Sequence, residues 1–209
     1  PKWWKGNLHT HSLWSDGDDF PEMIAESYKK RGYHFLTITD HNILHEVEKW
    51  IPVTKTRSRD VAYAKYLKRW GTNWVQTKRD EKDQLHVRLK HRGEYLDKLE
   101  SPGRFLLIQS EEVSARYLTA PVHINAANIR HKIAPLTGTS VLDVIQKNVA
   151  AILAQEKETG TPMLPHINHP NFGWAITAEE LMRVRGERFF ELYNGHPAVH
   201  NRGDQTHAD

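Results

Sequence analysis

Residues 6–17 read GNLHTHSLWSDG, and this stretch decides how the fold is interpreted. His9 and His11 stand one residue apart, and Asp16 follows five residues after His11. Side chains two residues apart on a β-strand point to the same face, so both imidazoles could reach one metal ion. The alternative is a strand with two ordinary polar residues, followed by a common Ser-Asp-Gly turn. The rest of the chain must distinguish these two interpretations.

The composition is that of a globular protein without thiol chemistry. The chain has 209 residues, 38% hydrophobic and 26% charged, which is enough for one domain with a substantial core. It contains no cysteine, so any metal must be held by histidine, aspartate or glutamate. No run of about 18 apolar residues occurs, so we expect no membrane-spanning helix and no membrane partner. No targeting segment is visible, and the compartment and oligomeric state stay open.

Positive charge is concentrated in one part of the chain. Residues 55–98 carry 13 lysines and arginines against 6 acids, a net of +7, whereas the remainder has a net of −4. Such a segment could bind a phosphate-rich partner, and Trp70 and Trp74 within it could stack on nucleotide bases. The alternative is a solvated helical face with scattered charge.

Strand and helix patterns alternate along the chain, which is typical of an α/β fold with a parallel sheet, open or closed as a barrel. Strands are predicted at 6–11, 34–42, 104–114, 120–129, 161–174 and 188–195. Helices are predicted at 20–33, 58–71, 91–103, 140–160 and 177–186, the fourth from its helical spacing of apolar residues. We interpret the chain as a single domain, 1–209, with an insertion at about 44–103.

Ligand-type side chains stand toward the carboxyl ends of successive predicted strands in chain order, with His123 carried inside the fourth strand. They are His9 and His11, then Asp40 and His41, then Glu111 and Glu112, then His123, and finally His166 and His169. In a parallel barrel the carboxyl ends of the strands converge on one face. Imidazoles and carboxylates gathered there suit zinc, manganese or iron, and a carboxylate can bridge two metals in hydrolysis.

Each of these residues taken alone has a simpler explanation. His41 could belong to a turn or cap, His123 could be a core histidine, and His169 could shape the loop before Pro170. Glu111 and Glu112 cannot point to the same side of a strand, so one of them is expected to be structural. The ordered series over five strands favours the metal site.

The stretches HTHSLWSDG, TDHN, EEVS, VHI and NHPNFGW resemble the PHP domain, named for polymerase and histidinol phosphatase. The resemblance covers about residues 5–195 apart from the insertion. It implies a distorted (β/α)7 TIM-like barrel with two or three divalent metals at the strand ends. Members include histidinol phosphate phosphatases, phosphoesterases acting on nucleotides, and exonuclease modules of bacterial DNA polymerases.

The resemblance also implies roles for individual residues. His9 and His11 would share one metal, Asp16 and His41 another, and Glu112 would bridge. The implied catalytic metal ligands are His9, His11, Asp16, His41, Glu112, His123 and His169. Asp40 resembles a residue that orients a ligand from behind. Further residues near the site or substrate are Glu111, Glu191 and Asn194, together with Arg130, His131 and Arg202 as phosphate-holding groups chosen by position alone.

The family's closing Asp-x-His motif is not found. The segment GDQTHAD at 203–209 contains Asp204 and His207 at a different spacing, so we expect the barrel to lack its last strand. The leading hypothesis is a metal-dependent hydrolase that cleaves a phosphate ester of a small molecule or nucleotide through a metal-activated water.

Three alternatives stay open. The chain could be a phosphodiesterase or nuclease acting on nucleotides or nucleic acid, or a module that retains metal without catalysis. An amidohydrolase-type barrel is disfavoured, because it usually needs a metal-bridging lysine after a middle strand, and no lysine stands there.

Overall fold

The computed structural model describes residues 2–207 and divides the chain into two compact units, Pro1–Ile108 and Gln109–Asp209, called unit 1 and unit 2 below. The single domain over residues 1–209 stays a prediction, and Pro1, Ala208 and Asp209 lie outside the described residues. The protein is a mixed α/β structure, as the alternating patterns predict. No helix in the described part of the chain is long and apolar enough to cross a membrane.

Unit 1 begins with a parallel strand pair. Strand β1 (Gly6–Asn7) and strand β2 (Phe35–Ile38) are joined by helix α1 (Pro21–Lys30). Pro21 occupies the first turn of α1, where its missing N–H would have had no helical partner. This strand–helix–strand unit confirms the prediction of parallel pairing for the first two strands.

The insertion contains a small sheet that the sequence patterns did not reveal. Its elements are strand β3 (Lys49–Pro52), a 3₁₀ turn (Thr56–Ser58), helix α2 (Arg59–Trp70), strand β4 (Thr77–Arg79), strand β5 (Leu85–Leu89) and helix α3 (Arg92–Leu99). The strands pair antiparallel in the order β3-β5-β4. Their buried side chains Ile51, Val87 and Leu89 pack in one cluster with Leu13 and Trp14. The insertion therefore shares its core with the loop that follows His11.

Some basic side chains of residues 55–98 form ion pairs with acidic residues of unit 1. Lys65 Nζ lies 2.6 Å from Asp19 Oδ2, and Arg69 Nε donates to Glu26 at 2.8 Å. Trp70 and Trp74 pack against the hydrophobic clusters, with ring centroids 5.1 Å apart. These two rings stabilise the core, which leaves them less available as stacking surfaces.

Unit 2 departs from parallel pairing. Strand β6 (Leu106–Tyr117) crosses from unit 1 into unit 2, and strand β7 (Ala120–Ala127) returns antiparallel to it after only two residues. A two-residue connection is too short for the crossover that parallel strands require. Strand β8 (Leu164–Ile167) is antiparallel to β7. The prediction of a parallel sheet is therefore wrong for these three strands.

Both helices of unit 2 begin where their sequence signals predict, but only the first ends there, because the second stops at Arg183 instead of reaching Gly186. Helix α4 (Val141–Thr159) starts after Ser140, whose hydroxyl accepts from Asp143 N, and ends at Gly160 in the left-handed conformation. Helix α5 (Ala178–Arg183) has the predicted capping box of Thr177 and Glu180. The predicted strand at 188–195 is reduced to an isolated parallel bridge between Ile167 and Phe190.

Candidate metal centre

His9 and His11 face the same direction, as their two-residue spacing predicts, although the predicted strand at 6–11 is shortened to Gly6–Asn7 and both histidines follow its end. The intervening Thr10 continues the pairing of β1 with β2, because its carbonyl accepts from Thr39 N at 2.7 Å. The Nε2 atoms of His9 and His11 lie 3.1 Å apart. Two ligands bound tetrahedrally to zinc at about 2.0–2.1 Å would be about 3.3 Å apart. The separation of the two imidazoles therefore fits a pair of nitrogen ligands for one ion.

His11, Asp16 and His41 form a second group in unit 1. One ligand atom from each residue lies within 4.8 Å of the others, so the three could hold a metal ion. Asp16 Oδ1 is 2.5 Å from His11 Nδ1, and Asp16 Oδ2 is 3.5 Å from His41 Nε2. Hydrogen bonds from His11 and His41 hold the pKa of Asp16 well below its usual range. This carboxylate can orient the imidazole of His11 and can also offer an oxygen beside His41.

Asp40 is fully buried and supports the loop that presents these ligands. Its Oδ1 accepts from Ser12 N at 2.8 Å and from Ser15 Oγ at 2.5 Å, and its Oδ2 accepts from Ser12 Oγ at 2.5 Å. Burial acts to raise the pKa of Asp40, but the hydrogen bond and charge of His45 with the serine hydrogen bonds outweigh it, and the pKa is lowered. Asp40 therefore fixes the backbone between His11 and Asp16.

Sequence reasoning missed His45, the fourth donor to Asp40. His45 Nε2 lies 2.7 Å from Asp40 Oδ2, and its Nδ1 lies 2.8 Å from the hydroxyl of Tyr95 on α3. The ring of Trp14 stacks on His45 at 4.7 Å. In the sequence, His45 follows His41 by four residues. This spacing alone does not identify a buried partner of Asp40, because an exposed histidine near a ligand motif would have the same spacing.

In unit 2, three polar side chains surround the carboxylate of Glu112. Its buried Oε1 lies 2.7 Å from Asn168 Nδ2, 3.2 Å from His123 Nδ1 and 3.3 Å from His169 Nε2. The three predicted ligands Glu112, His123 and His169 are thus brought together. Asn168 was not selected from the sequence, although it stands in the quoted NHPNFGW stretch.

Glu111 points away from this cluster, as expected of adjacent residues on a strand. Its Oε1 accepts from the backbone N–H of Ile133, and the side chain is buried. Burial raises the pKa of Glu111 to about 7. Its contacts are those of a structural residue.

His169 is held in a strained backbone conformation, with φ of 24°. Such conformations persist where surrounding contacts impose them. The Oε2 atom of Glu191 accepts from His169 N at 2.9 Å and from Asn194 Nδ2 at 2.9 Å. Glu191 and Asn194 therefore secure the loop that carries His169.

Two of the predicted phosphate-holding residues, Arg130 and His131, lie away from the Glu112 cluster. Arg130 and His131 are exposed, and Arg130 approaches Thr161, ahead of the start of β8, whereas His169 follows its end. Arg202 is also exposed. Asp204 Oδ1 accepts from the backbone of Thr206 and lies 2.7 Å from His207 Nδ1, so it stabilises a local turn. The structure places none of these four residues, Arg130, His131, Arg202 or Asp204, in the contacts around Glu112.

Comparisons with known proteins give partial similarities. No family model matches the chain. A 38-residue stretch, 18% of this chain, is 50% identical to the DNA polymerase/3'-5' exonuclease PolX of Bacillus subtilis strain 168 and spans 7% of that protein's length. A solved structure of a proposed metal-dependent phosphoesterase from Bifidobacterium adolescentis ATCC 15703 aligns at 12% identity with a TM-score of 0.45. That alignment covers 97% of this chain and 82% of the other.

Proposed function

We propose that this chain is a PHP-type, metal-dependent phosphoesterase that hydrolyses a phosphorylated small molecule or nucleotide. In this proposal a distorted β/α barrel binds two or three divalent ions, zinc, manganese or iron. The main support for the proposal is the group of His11, Asp16 and His41, in which one ligand atom from each residue lies within 4.8 Å of the others. Metal ligands in the proposal are the seven predicted residues, namely His9, His11, Asp16, His41, Glu112, His123 and His169.

The donors present fit the ions named. They comprise imidazole nitrogens and carboxylate oxygens without thiolate, a set suited to zinc, manganese and iron. Bound divalent ions supply Lewis acidity, which favours hydroxide near neutral pH and offsets negative charge on a phosphoryl group.

The protein's own side chains orient the donors. Asp16 fixes the ring of His11 through the Nδ1 contact, which leaves the Nε2 of His11 directed toward His9. Asn168 holds one oxygen of Glu112, and Asp40 holds the loop between His11 and Asp16. Partners of this kind commonly change metal affinity by about 10–100-fold when removed.

A second candidate is a phosphodiesterase or nuclease. It is favoured by the 38-residue segment that is 50% identical to a DNA polymerase/3'-5' exonuclease. The excess of basic residues in 55–98 is compatible with nucleic acid, although Lys65 and Arg69 are paired with acids.

The test combines metal analysis with two substrates. Purified protein is assayed for bound metal by mass spectrometry, then for hydrolysis of p-nitrophenyl phosphate and bis-p-nitrophenyl phosphate. We expect bound divalent metal, monoester hydrolysis, and loss of both in His41→Ala but not in the control His86→Ala. Preference for the diester, with inhibition by oligonucleotides stronger than by inorganic phosphate, would select the nuclease. Metal without hydrolysis would indicate a binding module, and absence of metal would refute the proposal.

A further inference from the structure

A concave space of about 530 Å³ adjoins Asp16 in unit 1. One wall is the loop that carries Asp16 and Asp18, and the other is the 3₁₀ turn with Arg57 and Ser58 together with helix α2, which carries Lys65. Ligand pockets in proteins commonly measure about 300–1,000 Å³. The space is therefore large enough for a phosphate group together with an organic body of nucleotide or sugar size.

Two positively charged residues line this pocket, and within residues 2–207 Arg57 is the one without an ionic partner. Lys65 is paired with Asp19 at 2.6 Å. The side chain of Arg57 is exposed and makes no ion pair or hydrogen bond within residues 2–207. An arginine guanidinium presents a planar fork of donors that matches two oxygens of a phosphate.

The backbone at this position is held in an unusual conformation. Arg57 and Ser58 are both left-handed, with φ of 52° and 51°, although neither is glycine. Ser58 is the N-cap residue of α2, yet its side chain makes no capping hydrogen bond. Strained conformations of this kind concentrate at functional sites, where the placement of a side chain outweighs local stability.

The two acids on the opposite wall determine what the pocket can bind. Asp16 and Asp18 would repel an anion if their charges were not offset. A divalent ion held by Asp16 and His41 would offset that charge, and Arg57 would supply a second positive centre. The exposed side chain of Val61 adds an apolar contact.

We infer that this pocket binds the phosphate ester of the substrate and that Arg57, from the insertion, is its phosphate-binding side chain. The inference rests on the proposed function, because the ion beside Asp16 is part of the anion site. It assigns the insertion a role in substrate binding, with the organic part of the ester lying along Val61 and the start of α2.

The test measures phosphate binding separately from catalysis. Inorganic phosphate is titrated calorimetrically into metal-loaded wild type, Arg57→Ala, Arg57→Lys and the control Arg31→Ala, which alters an exposed arginine at the end of α1. We expect Arg57→Ala to weaken phosphate binding about 10–100-fold and to raise the KM for p-nitrophenyl phosphate similarly, with bound metal unchanged. Arg57→Lys should recover part of the loss, and Arg31→Ala should match wild type.

The outcomes separate the two claims. If Arg57→Ala binds phosphate within about twofold of wild type, the inference is overturned and the metal-dependent function stands. If wild type binds metal and phosphate without hydrolysis, and Arg57→Ala loses the phosphate, the inference is supported and catalysis is refuted. If wild type binds no metal, the proposed function fails and the inference fails with it.

Discussion

The carboxylate of Asp40 and the imidazole of His45 form a buried pair, with 2.7 Å between Oδ2 and Nε2. The same carboxylate accepts hydrogen bonds from the backbone of Ser12 and from the hydroxyls of Ser12 and Ser15. These contacts fix the backbone on the way from His11 to Asp16, so two candidate ligands depend on a residue that touches neither.

Replacing Asp40 by asparagine should weaken metal binding without removing a ligand. The amide keeps the shape of the carboxylate, but its NH₂ group would face donors from Ser12, Ser15 or His45. We expect metal affinity to fall about 10–100-fold, measured by calorimetric titration on protein whose circular dichroism is unchanged. The control is Asp97→Asn, an exposed position on α3. Equal metal affinity in folded Asp40→Asn and wild type would contradict this role.

Gly17 should be intolerant of alanine, because a Cβ atom there would lie 2.4 Å from the carbonyl oxygen of His11. The backbone cannot move aside freely, since Gly17 N also donates to Ser12 O at 2.9 Å. Overpacking of this kind costs about 1–3 kcal/mol, and urea unfolding of Gly17→Ala should show a loss in that range. Gly93 on α3 has no atom within 4 Å of a built Cβ, so Gly93→Ala should be neutral or stabilising by up to about 1 kcal/mol. Similar results for both variants would argue against the close approach.

Glu111 and Glu112 offer a matched pair of buried carboxylates one residue apart. Glu112→Gln should lose bound metal, because an amide is a weaker ligand than a carboxylate and Oε1 faces His123 and His169. Glu111→Gln should keep it, because the amide oxygen can still accept from Ile133 N. The measurement is the metal content of the two purified variants. Loss of metal in Glu111→Gln alone would show that Glu111, and not Glu112, is the metal ligand.

Glu22 should make stability depend on pH. Burial raises its pKa from 4.5 to about 7, although Tyr66 OH donates to its Oε1 at 2.5 Å. The folded protein therefore keeps this proton to a higher pH than the unfolded chain, so its contribution is full below about pH 4.5 and is lost as pH rises to about 7. The loss is of the order of 3 kcal/mol.

Urea unfolding of wild type and Glu22→Gln at about pH 5 and about pH 8 measures this contribution. We expect the stability of the variant relative to wild type to increase toward the higher pH. Glu46→Gln, at an exposed position, serves as the control. A constant difference between wild type and Glu22→Gln across this range would show that Glu22 titrates normally.

The sequence by itself determined the features that depend on local spacing. The apolar row of α4, its start at Ser140 and its end at Gly160 follow from helical periodicity and capping chemistry. The two-residue spacing of His9 and His11 predicts their common direction, although strand β1 itself ends at Asn7. Such patterns act within a few residues, so they are visible before the chain folds.

Only the tertiary structure decided which distant side chains meet. Asp40 is 28 residues from Ser12, and His45 is 50 residues from Tyr95, and no local pattern encodes either contact. The strands β3, β4 and β5 are three to five residues long, too short for a clear periodicity. β3 and β5 share a core with Trp14, and the exposed strand β4 pairs along the edge of β5. Tertiary packing around α2 also buries Trp70 and Trp74 and leaves the side chain of Arg57 without a partner in residues 2–207. Charge and aromatic content alone do not show which side chains already have partners.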